Sequence, residues 1–359
     1  MILGVDLGEK SYDIVIEKNS LSKAGVIIHS FLRGSKIALV TDKNVDKYYG
    51  ELVMDSLQNS GVEVVKYVVE PGEASKNIDV AMDIYKFMLE AGMGRKDMLV
   101  ALGGGVIGDL VGYCAATYLR GIDFYQIPTS LLAQIDSSIG GKVAIDLPYG
   151  KNLVGAFYQP KGVLIDESTL TTLEEKFFID GMAEAIKYGA IFSEEFFAYL
   201  ELEEFDLESV RSGKSMEKVI FECCNFKRIV VEEDEHENGR RALLNFGHTV
   251  GHGIEKVEKF VGHSHGEAVA IGMCVIAKAG EALEVTEDGV YVRLRNLVEK
   301  TGLPSKFPVG IKEDVVKAMG YDKKAQGSSI NLIMLSEIGK SFIMVEKKEN
   351  LMNIIDRGI

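Results

Sequence analysis

The amino-acid sequence predicts an α/β N-terminal domain, Rossmann-like with a mostly parallel sheet, followed by a mainly α-helical C-terminal domain. In the first half, short β-branched runs alternate with amphipathic stretches, the pattern of parallel strands whose connecting helices cover the sheet. From about Thr171 onward, apolar residues recur with helical periodicity instead. A chain of 359 residues suits two domains, which we place at residues 1–170 and 171–359.

Individual segments justify this division. Four segments of the first half have the composition of strands that run into polar turns: residues 36–44, 62–73, 97–105 and 124–130. Residues 76–92, between two of these strands, have helical periodicity. Strand patterning gives way to a Ser/Thr-rich turn at residues 162–173, where we place the domain boundary. Beyond it, residues 173–192 and 217–233 are predicted helices, and residues 330–346 a pair of strands.

Composition excludes several classes of protein. The net charge of −14 argues against nucleic acid as a partner, because phosphate backbones are bound by an excess of lysine and arginine. No apolar run approaches the ~20 residues that span a bilayer, and the N-terminus lacks the features of a signal peptide, so we expect a cytoplasmic protein with no membrane partner. The four cysteines form no CxxC pair, which argues against a disulfide framework or a thiolate zinc site.

Four of the six histidines lie between residues 241 and 273, and they predict a metal site. His248 and His252 are four residues apart on a predicted helix and therefore share a face, while His263 and His265 follow after a glycine-bounded loop. Neutral imidazole and carboxylate are the ligands that zinc favours. Spacing alone nominates His248 and His252 as the ligand pair. The alternative is that these histidines cap helices or satisfy buried polar groups.

A glycine-rich turn predicts an anion site in the first domain. Gly103, Gly105 and Gly108 satisfy G-x-G-x-x-G between an apolar strand and a predicted helix, although a structural glycine turn also produces this match. The neighbourhood of Tyr125 and Ile127 stands where an acidic residue is expected about twenty positions later, although Asp123 is close, so we look for a ribose ligand earlier in the chain. Asp42, at the carboxyl end of its strand, is either that ligand or a helix cap.

Polar residues among glycines predict a binding loop for a small ligand. Residues 136–160 place Asp136, Lys142, Lys151 and Asn152 in a segment whose composition is poor for a core. Further cations accompany the motif segments: Arg120, Lys187, Lys227 and Arg241. Their recurrence favours a substrate that carries phosphate and carboxylate.

Eight motifs occur in the order and spacing of one known family: PGEASKN, GGGVIGD, YLRGIDFYQIPTSLLAQIDSSIGGK, GKNLVGAFYQP, GMAEAIKYG, LLNFGHTVGHGIE, HGEAVAIGM and YDKK. On these residues the chain resembles the 3-dehydroquinate synthase family of the sugar-phosphate cyclase superfamily, over essentially its whole length. The resemblance implies a dehydroquinate synthase-like fold with an NAD-binding α/β domain and a helical metal- and substrate-binding domain. It also implies a zinc ion between them, for which cobalt can substitute, and a homodimer.

The resemblance assigns residues position by position. The metal ligands it implies are Glu184, His248 and His265, which replaces the pair nominated by spacing. The NAD-binding residues it implies are Asp42, Asn44, Glu73, Lys76, Gly104, Gly105, Val106, Asp109, Thr129, Ser130, Leu132, Asp136 and Lys151. The substrate-binding residues it implies are Arg120, Asp136, Lys142, Asn152, Lys187, Lys227, Arg241, Asn245, His252, Lys323 and Lys324. Among these, the catalytic residues it implies are Lys142, Lys187, Asn245 and His252.

The implied reaction converts 3-deoxy-D-arabino-heptulosonate 7-phosphate into 3-dehydroquinate and phosphate, a step of the shikimate pathway, through transient oxidation by NAD, phosphate elimination, re-reduction and an intramolecular aldol reaction. We expect Lys142, Asn152 and Arg120 to bind phosphate, the arginine in the partner subunit's site, and Arg241 and Lys227 to bind carboxylate. The alternatives are another sugar-phosphate cyclase, a metal-dependent alcohol or glycerol dehydrogenase, and a non-catalytic nucleotide-binding module. The DSSIGGK, GKN and YDKK segments match the dehydroquinate branch.

Overall fold

The protein is described by a computed structural model over residues 1–320 and 328–359. These residues form two compact units, the first made of residues 1–174 and 213–235 and the second of residues 175–212 and 236–359. The predicted helix at residues 217–233 thus lies in the first unit. The predicted domains, residues 1–170 and 171–359, are consecutive segments. They did not include the return of residues 213–235 to the first unit.

Strands and helices alternate through the first half of the chain. The strands are β1 (Ile2–Val5), β2 (Tyr12–Ile16), β3 (Lys36–Asp42), β4 (Glu63–Val69), β5 (Met98–Gly103), β6 (Asp123–Pro128), β7 (Lys142–Leu147), β8 (Gly150–Phe157), β9 (Gly162–Ile165), β10 (Ser329–Glu337) and β11 (Lys340–Lys347). The helices are α1 (Ala24–His29), α2 (Lys43–Val45), α3 (Glu51–Asn59), α4 (Ile78–Glu90), α5 (Gly105–Thr117), α6 (Glu175–Phe192), α7 (Glu194–Leu202), α8 (Leu207–Arg211), α9 (Glu217–Glu233), α10 (His248–Val257), α11 (His265–Ala282), α12 (Val290–Lys300), α13 (Lys312–Gly320) and α14 (Leu351–Gly358). The predicted α/β unit followed by mainly helical structure is confirmed.

The first unit is built on a seven-stranded sheet with the order β1-β2-β9-β6-β5-β3-β4. Only the edge pair β1 and β2 is antiparallel, and the other neighbours are parallel. The four predicted strands are β3, β4, β5 and β6. Since these four are parallel, their carboxyl ends lie at one edge of the sheet, where ligands bind in open α/β folds.

Alternating residues of the central strands enter two separate cores. Ala38 and Val40 pack on one face with residues of α4 and α5, while Ile37 and Leu39 pack on the other with residues of α1 and α3. Because successive side chains of a strand point to opposite faces, a strand covered on both faces is a continuous apolar run. This explains the unbroken apolar sequence of β3 and β5.

The polar segment 136–160 contains a hairpin. A π-helical turn at Ala133–Ser137 precedes β7, which pairs antiparallel with β8. Val143 and Ile145 of β7 are buried in the core that includes α4 and α5. Val143 and Ile145 alternate with more exposed residues, as expected for a strand, although glycines and charged residues surround them in the sequence.

The second unit is helical apart from the hairpin of β10 and β11, which confirms the predicted strand pair. Helices α10 and α11 pack closely because glycines line their contact. A Cβ atom placed at Gly251 would lie 3.1 Å from the backbone of Ala268, and one at Gly272 would overlap the carbonyl group of Gly247. No helix among the described residues is both long and apolar enough to cross a membrane.

Candidate active site

Three side chains of the second unit converge from three helices. Glu184 lies in the middle of α6, whereas His248 and His265 are the first residues of α10 and α11. His248 Nε2 lies 3.4 Å from Glu184 Oε1, and His265 Nε2 lies 3.8 Å from the same oxygen. One ligand atom from each residue falls within 4.8 Å of the others.

This cluster fits a divalent metal. Glu184 is 1% exposed, and its Oε1 accepts no hydrogen bond from the residues that the structure describes. A buried carboxylate oxygen without a donor is costly, and a bound cation would remove that cost. One carboxylate and two imidazoles match the donor set of a catalytic zinc site with positions left for substrate. Cobalt accepts the same donors.

The Nδ1 atoms of both histidines face other groups, which directs each Nε2 towards Glu184. His248 Nδ1 lies 3.1 Å from the carbonyl oxygen of Phe246, and His265 Nδ1 lies 3.5 Å from Glu255 Oε2. Burial and then the charge of Lys187 lower the pKa of His248 well below its usual value, so this imidazole is neutral. Burial also lowers the pKa of His265, but Glu255 and then Glu184 outweigh it and raise that pKa to about 9.

The other predicted residues of the second unit surround this cluster or lie near it in sequence. Lys187, 2% exposed, forms an ion pair with Glu184 Oε2. The His252 ring centroid is 5.4 Å from that of His248. Asn245 Nδ2 donates to Glu237 Oε1 at 2.8 Å. Arg241 is 1% exposed, which is unusual for an arginine unless its charge is paired.

Sequence reasoning missed how the start of α11 is fixed. Ser264 caps the helix in a capping box with Glu267, and the S-x-x-E spacing is the feature that could have shown it. Asp180 Oδ1 accepts from Ser264 Oγ and from the Gly266 backbone, both at 2.5 Å. Asp180 lies on α6 one turn before Glu184, so one helix supplies a candidate ligand and anchors the backbone around His265.

In the first unit, the glycine-rich turn has the form of a phosphate site. Helix α5 begins at Gly105, and its N-cap Gly104 has no side chain to cap the first-turn amides. A Cβ atom on Gly104 would lie 3.3 Å from Ser130 Oγ, and one on Gly105 would lie 2.9 Å from Ser137 Oγ. The backbone at Gly104 and Gly105 is therefore open to a ligand, and the hydroxyl groups of Ser130 and Ser137 lie beside it. This arrangement fits a dinucleotide pyrophosphate.

A buried lysine joins three predicted residues near this turn. Lys76 Nζ lies 2.6 Å from Asp109 Oδ2 and 2.5 Å from Asn152 Oδ1, and 3.9 Å from Glu73 Oε1. Burial lowers the pKa of Lys76, but the charges of Asp109 and Glu73 outweigh it and raise that pKa. Burial raises the pKa of Asp109 against the opposing effect of Lys76. The lysine therefore stays charged and orders the polar groups around it.

The ends of β3 and β6 place further NAD candidates. Asp42 Oδ1 accepts from the backbone of Asn44 at 2.8 Å and of Val45 at 3.1 Å, so the structure shows the helix cap. Both hydrogen bonds use Oδ1, and the cap is therefore compatible with a ribose contact through Oδ2. Thr129 donates its backbone N–H to the Gly103 carbonyl at 3.0 Å. The remaining candidates here lie on or beside these turns: Val106, Ser130 and Leu132.

The substrate candidates of the first unit are distributed over α9, the π-helical turn and the β7–β8 hairpin. Lys227 of α9 donates to Asp136 Oδ1 at 2.8 Å and to its carbonyl oxygen at 2.7 Å. Lys142 begins β7 and is exposed, and Lys151 of β8 is half-buried. Arg120 has a left-handed backbone, with φ of 71°. Lys323 and Lys324 lie outside the described residues.

Comparison with known proteins points to one family. The model described as 3-dehydroquinate synthase N-terminal matches residues 66–180, and that described as 3-dehydroquinate synthase C-terminal matches residues 181–325. A 3-dehydroquinate synthase of Clostridium acetobutylicum is 49% identical over 348 residues, which cover 97% of each chain. One from Clostridium botulinum is 48% identical over 341 residues, covering 95% of this chain and 97% of the relative.

Solved structures share the fold at lower identity. The 2-epi-5-epi-valiolone synthase of Streptomyces hygroscopicus, with NAD+ and Zn2+ bound, has a TM-score of 0.88 at 24% identity and covers 98% of this chain and 97% of its own. A 2-deoxy-scyllo-inosose synthase complexed with carbaglucose-6-phosphate, NAD+ and Co2+ has a TM-score of 0.86 at 23% identity, with both chains fully covered. Likeness at this level concerns the fold alone.

Proposed function

Because this chain belongs to the 3-dehydroquinate synthase family, we propose that it converts 3-deoxy-D-arabino-heptulosonate 7-phosphate into 3-dehydroquinate and phosphate. It is a carbon–oxygen lyase of the shikimate pathway, and its cofactors are NAD and a divalent metal ion. The observation that carries the proposal is the convergence of Glu184, His248 and His265 around a buried carboxylate oxygen to which no residue in the described part of the chain donates a hydrogen bond.

Glu184, His248 and His265 hold the metal in this proposal. When bound, the ion would supply Lewis acidity to a substrate hydroxyl, and NAD would supply reversible hydride transfer without net accumulation of NADH. Lys187 forms an ion pair with Glu184 and so offsets part of the negative charge of that carboxylate. We assign proton transfer on the substrate side of the metal to His252, one turn after His248 on α10 with ring centroids 5.4 Å apart, and a substrate contact to Asn245.

The first unit binds NAD in this proposal. The amides of Gly104, Gly105 and Val106 take the pyrophosphate, because the first turn of α5 has no side-chain cap. Lys76 and Asp109 order the neighbouring polar groups. The other proposed contacts are Asp42, Asn44, Glu73, Thr129, Ser130, Leu132, Asp136 and Lys151.

Four cationic residues and one asparagine bind the two anionic ends of the substrate in this proposal. Lys142, Asn152 and Arg120 are assigned to phosphate, and Lys227 and Arg241 to carboxylate. Holding both ends through several steps keeps the reacting groups at high effective concentration. One of Lys323 and Lys324 completes the substrate contacts.

The protein is a cytoplasmic homodimer in this proposal, and Arg120 acts in the partner's site. Arg120 and the preceding Leu119 both have left-handed φ, of 71° and 50°. Two consecutive non-glycine residues in this region store strain, and such strain is concentrated at functional sites. The exposed side chain at the end of this turn is suited to reach another chain.

Phosphate release from the heptulosonate 7-phosphate tests the proposal. Release should require both NAD and metal, yield 3-dehydroquinate by mass and NMR, and leave no net NADH. Glu184→Gln should abolish release together with stoichiometric zinc, whereas Glu175→Gln, on an exposed site of the same helix, should change neither.

Other outcomes would redirect the assignment. Phosphate release only from glucose 6-phosphate or sedoheptulose 7-phosphate would indicate another sugar-phosphate cyclase. NADH accumulating with a simple alcohol, without phosphate release, would indicate a metal-dependent dehydrogenase. Zinc bound equally by Glu184→Gln would refute the proposed ligand set.

A further inference from the structure

The two nitrogen atoms of His265 face different carboxylates. Nε2 lies 3.8 Å from Glu184 Oε1, inside the proposed ligand set, whereas Nδ1 lies 3.5 Å from Glu255 Oε2, outside it. An imidazole that binds metal through one nitrogen carries a proton on the other, and a carboxylate is a strong acceptor for that N–H.

Glu255 lies on the same helix as His248, one of the proposed metal ligands. It is 4% exposed and lies on α10, seven residues after His248 and three after His252, so all three side chains occupy one face of the helix. From there it reaches His265 on α11. Helix α10 thus provides one proposed ligand and a group that contacts another.

The backbone around His265 is fixed by a different carboxylate. Asp180 Oδ1 accepts from Ser264 Oγ and Gly266 N, on either side of the histidine. With the backbone held in this way, rotation of the ring is the main remaining freedom of His265. The contact with Glu255 sets that rotation.

We infer that Glu255 is a positioning residue for the metal: it accepts the Nδ1–H of His265, fixes the tautomer and holds Nε2 in the ligand position. The inference rests on the proposed function, because it takes Glu184, His248 and His265 as the ligands. Loss of such an outer contact typically weakens metal binding by about 10- to 100-fold.

A different arrangement would make Glu255 a ligand. Ligand atoms of His252, Glu255 and His265 also lie within 4.8 Å of one another. That arrangement leaves out Glu184, whose buried Oε1 accepts no hydrogen bond within residues 1–320 and 328–359. The two arrangements predict different effects for substitutions of His252 and Glu184.

Zinc affinity of the purified full-length protein, measured by chelator competition at several pH values from 7 to 9.5, tests the inference. Values are compared at the alkaline end, where protons compete least for imidazole. Glu255→Ala should weaken zinc binding about 10- to 100-fold, and Glu255→Gln, which keeps an acceptor but no charge, by less. The melting temperature of the metal-free protein shows whether each variant is folded.

Glu258→Gln is the matched control. Glu258 accepts from the backbone and the ring of His263, so it holds a histidine outside the ligand set in the same stretch of chain. This variant should keep the zinc affinity of the unmodified protein. Saturating zinc should restore kcat of Glu255→Gln with KM for substrate unchanged, which a general loss of structure would not allow.

Each contrary outcome has a distinct meaning. If Glu184→Ala abolishes zinc binding while both Glu255 variants stay within twofold of the unmodified protein, the inference fails and the ligand set stands. If His252→Ala and Glu255→Ala lose zinc equally and Glu184→Ala does not, Glu255 is a ligand, and both the inference and the proposed ligand set fail; the proposed reaction is tested separately by phosphate release.

Discussion

Replacing Gly247 with alanine probes the packing that sets the separation of two proposed ligands. Gly247 is the N-cap of α10, with φ of 77°, and precedes His248. An added Cβ would lie 2.7 Å from the Val269 carbonyl oxygen and 2.9 Å from Met273 N, both backbone atoms of α11. Since Cβ contacts below 3.0 Å essentially do not occur, α11 must move by at least 0.3 Å at Val269.

Two costs add in this variant. A left-handed backbone costs alanine about 1–2 kcal/mol, and forcing a methyl group into a packed contact costs about 1–3 kcal/mol. We therefore expect Gly247→Ala to lower the free energy of unfolding by roughly 2–5 kcal/mol. Metal sites tolerate errors of about 0.2 Å in ligand distance, so the displacement should also weaken zinc binding, by at least about tenfold.

Gly289→Ala is a matched control. Gly289 is the N-cap of α12, its φ is 94°, and an added Cβ would meet no atom within 4 Å. This variant should show only the backbone cost of about 1–2 kcal/mol and keep its zinc affinity. Urea unfolding of the metal-free protein and chelator competition measure the two quantities. Unchanged zinc affinity in Gly247→Ala would refute the view that this close approach sets the ligand geometry.

Three other predictions concern charge and burial. Lys76→Met should destabilise the first unit by about 3 kcal/mol in urea unfolding, because Asp109 loses the partner of its largely buried charge; an unchanged midpoint would contradict this. Zinc affinity should rise almost tenfold per pH unit up to about pH 9 and then level, because zinc must displace the proton of His265, whose pKa is raised to about 9. Calorimetry in buffers of different ionisation enthalpy should detect about one proton released near pH 7.5, and a flat profile would show that His265 is neutral. The thiols should resist disulfide reagents at pH 8 until the protein unfolds, since burial raises the pKa of Cys114 and Cys274 to about 12 and all four cysteines are buried; rapid labelling of the native protein would contradict this.

The parallel sheet was predictable because its strands are covered on both faces and so form continuous apolar runs, as in β3 and β5. The return of α9 to the first unit was not predictable from periodicity. Apolar spacing shows that a helix has a buried face but does not say which element covers it.

In the candidate active site, too, local patterns in the sequence predicted some features, whereas others depend on tertiary packing. Local spacing paired His248 with His252, because a four-residue interval guarantees only that two side chains share a helix face. Glu184 lies more than sixty residues earlier, and its approach to both histidines depends on the packing of three helices. Glu184 was predicted from the order of the family motifs. The roles of Asp180 and Glu255 were recognised only from interatomic distances in the structure.

The return of residues 213–235 gives the chain three crossings between its two units, near residues 174, 212 and 235. During synthesis, the first unit therefore cannot be completed when residue 174 leaves the ribosome. Residues 175–233 must emerge before α9 is complete, and by then residues 175–212 of the second unit are already present. Lys227, which donates to Asp136, is synthesised only in that last segment. The Lys227–Asp136 contact of the first unit therefore cannot form until that segment has emerged.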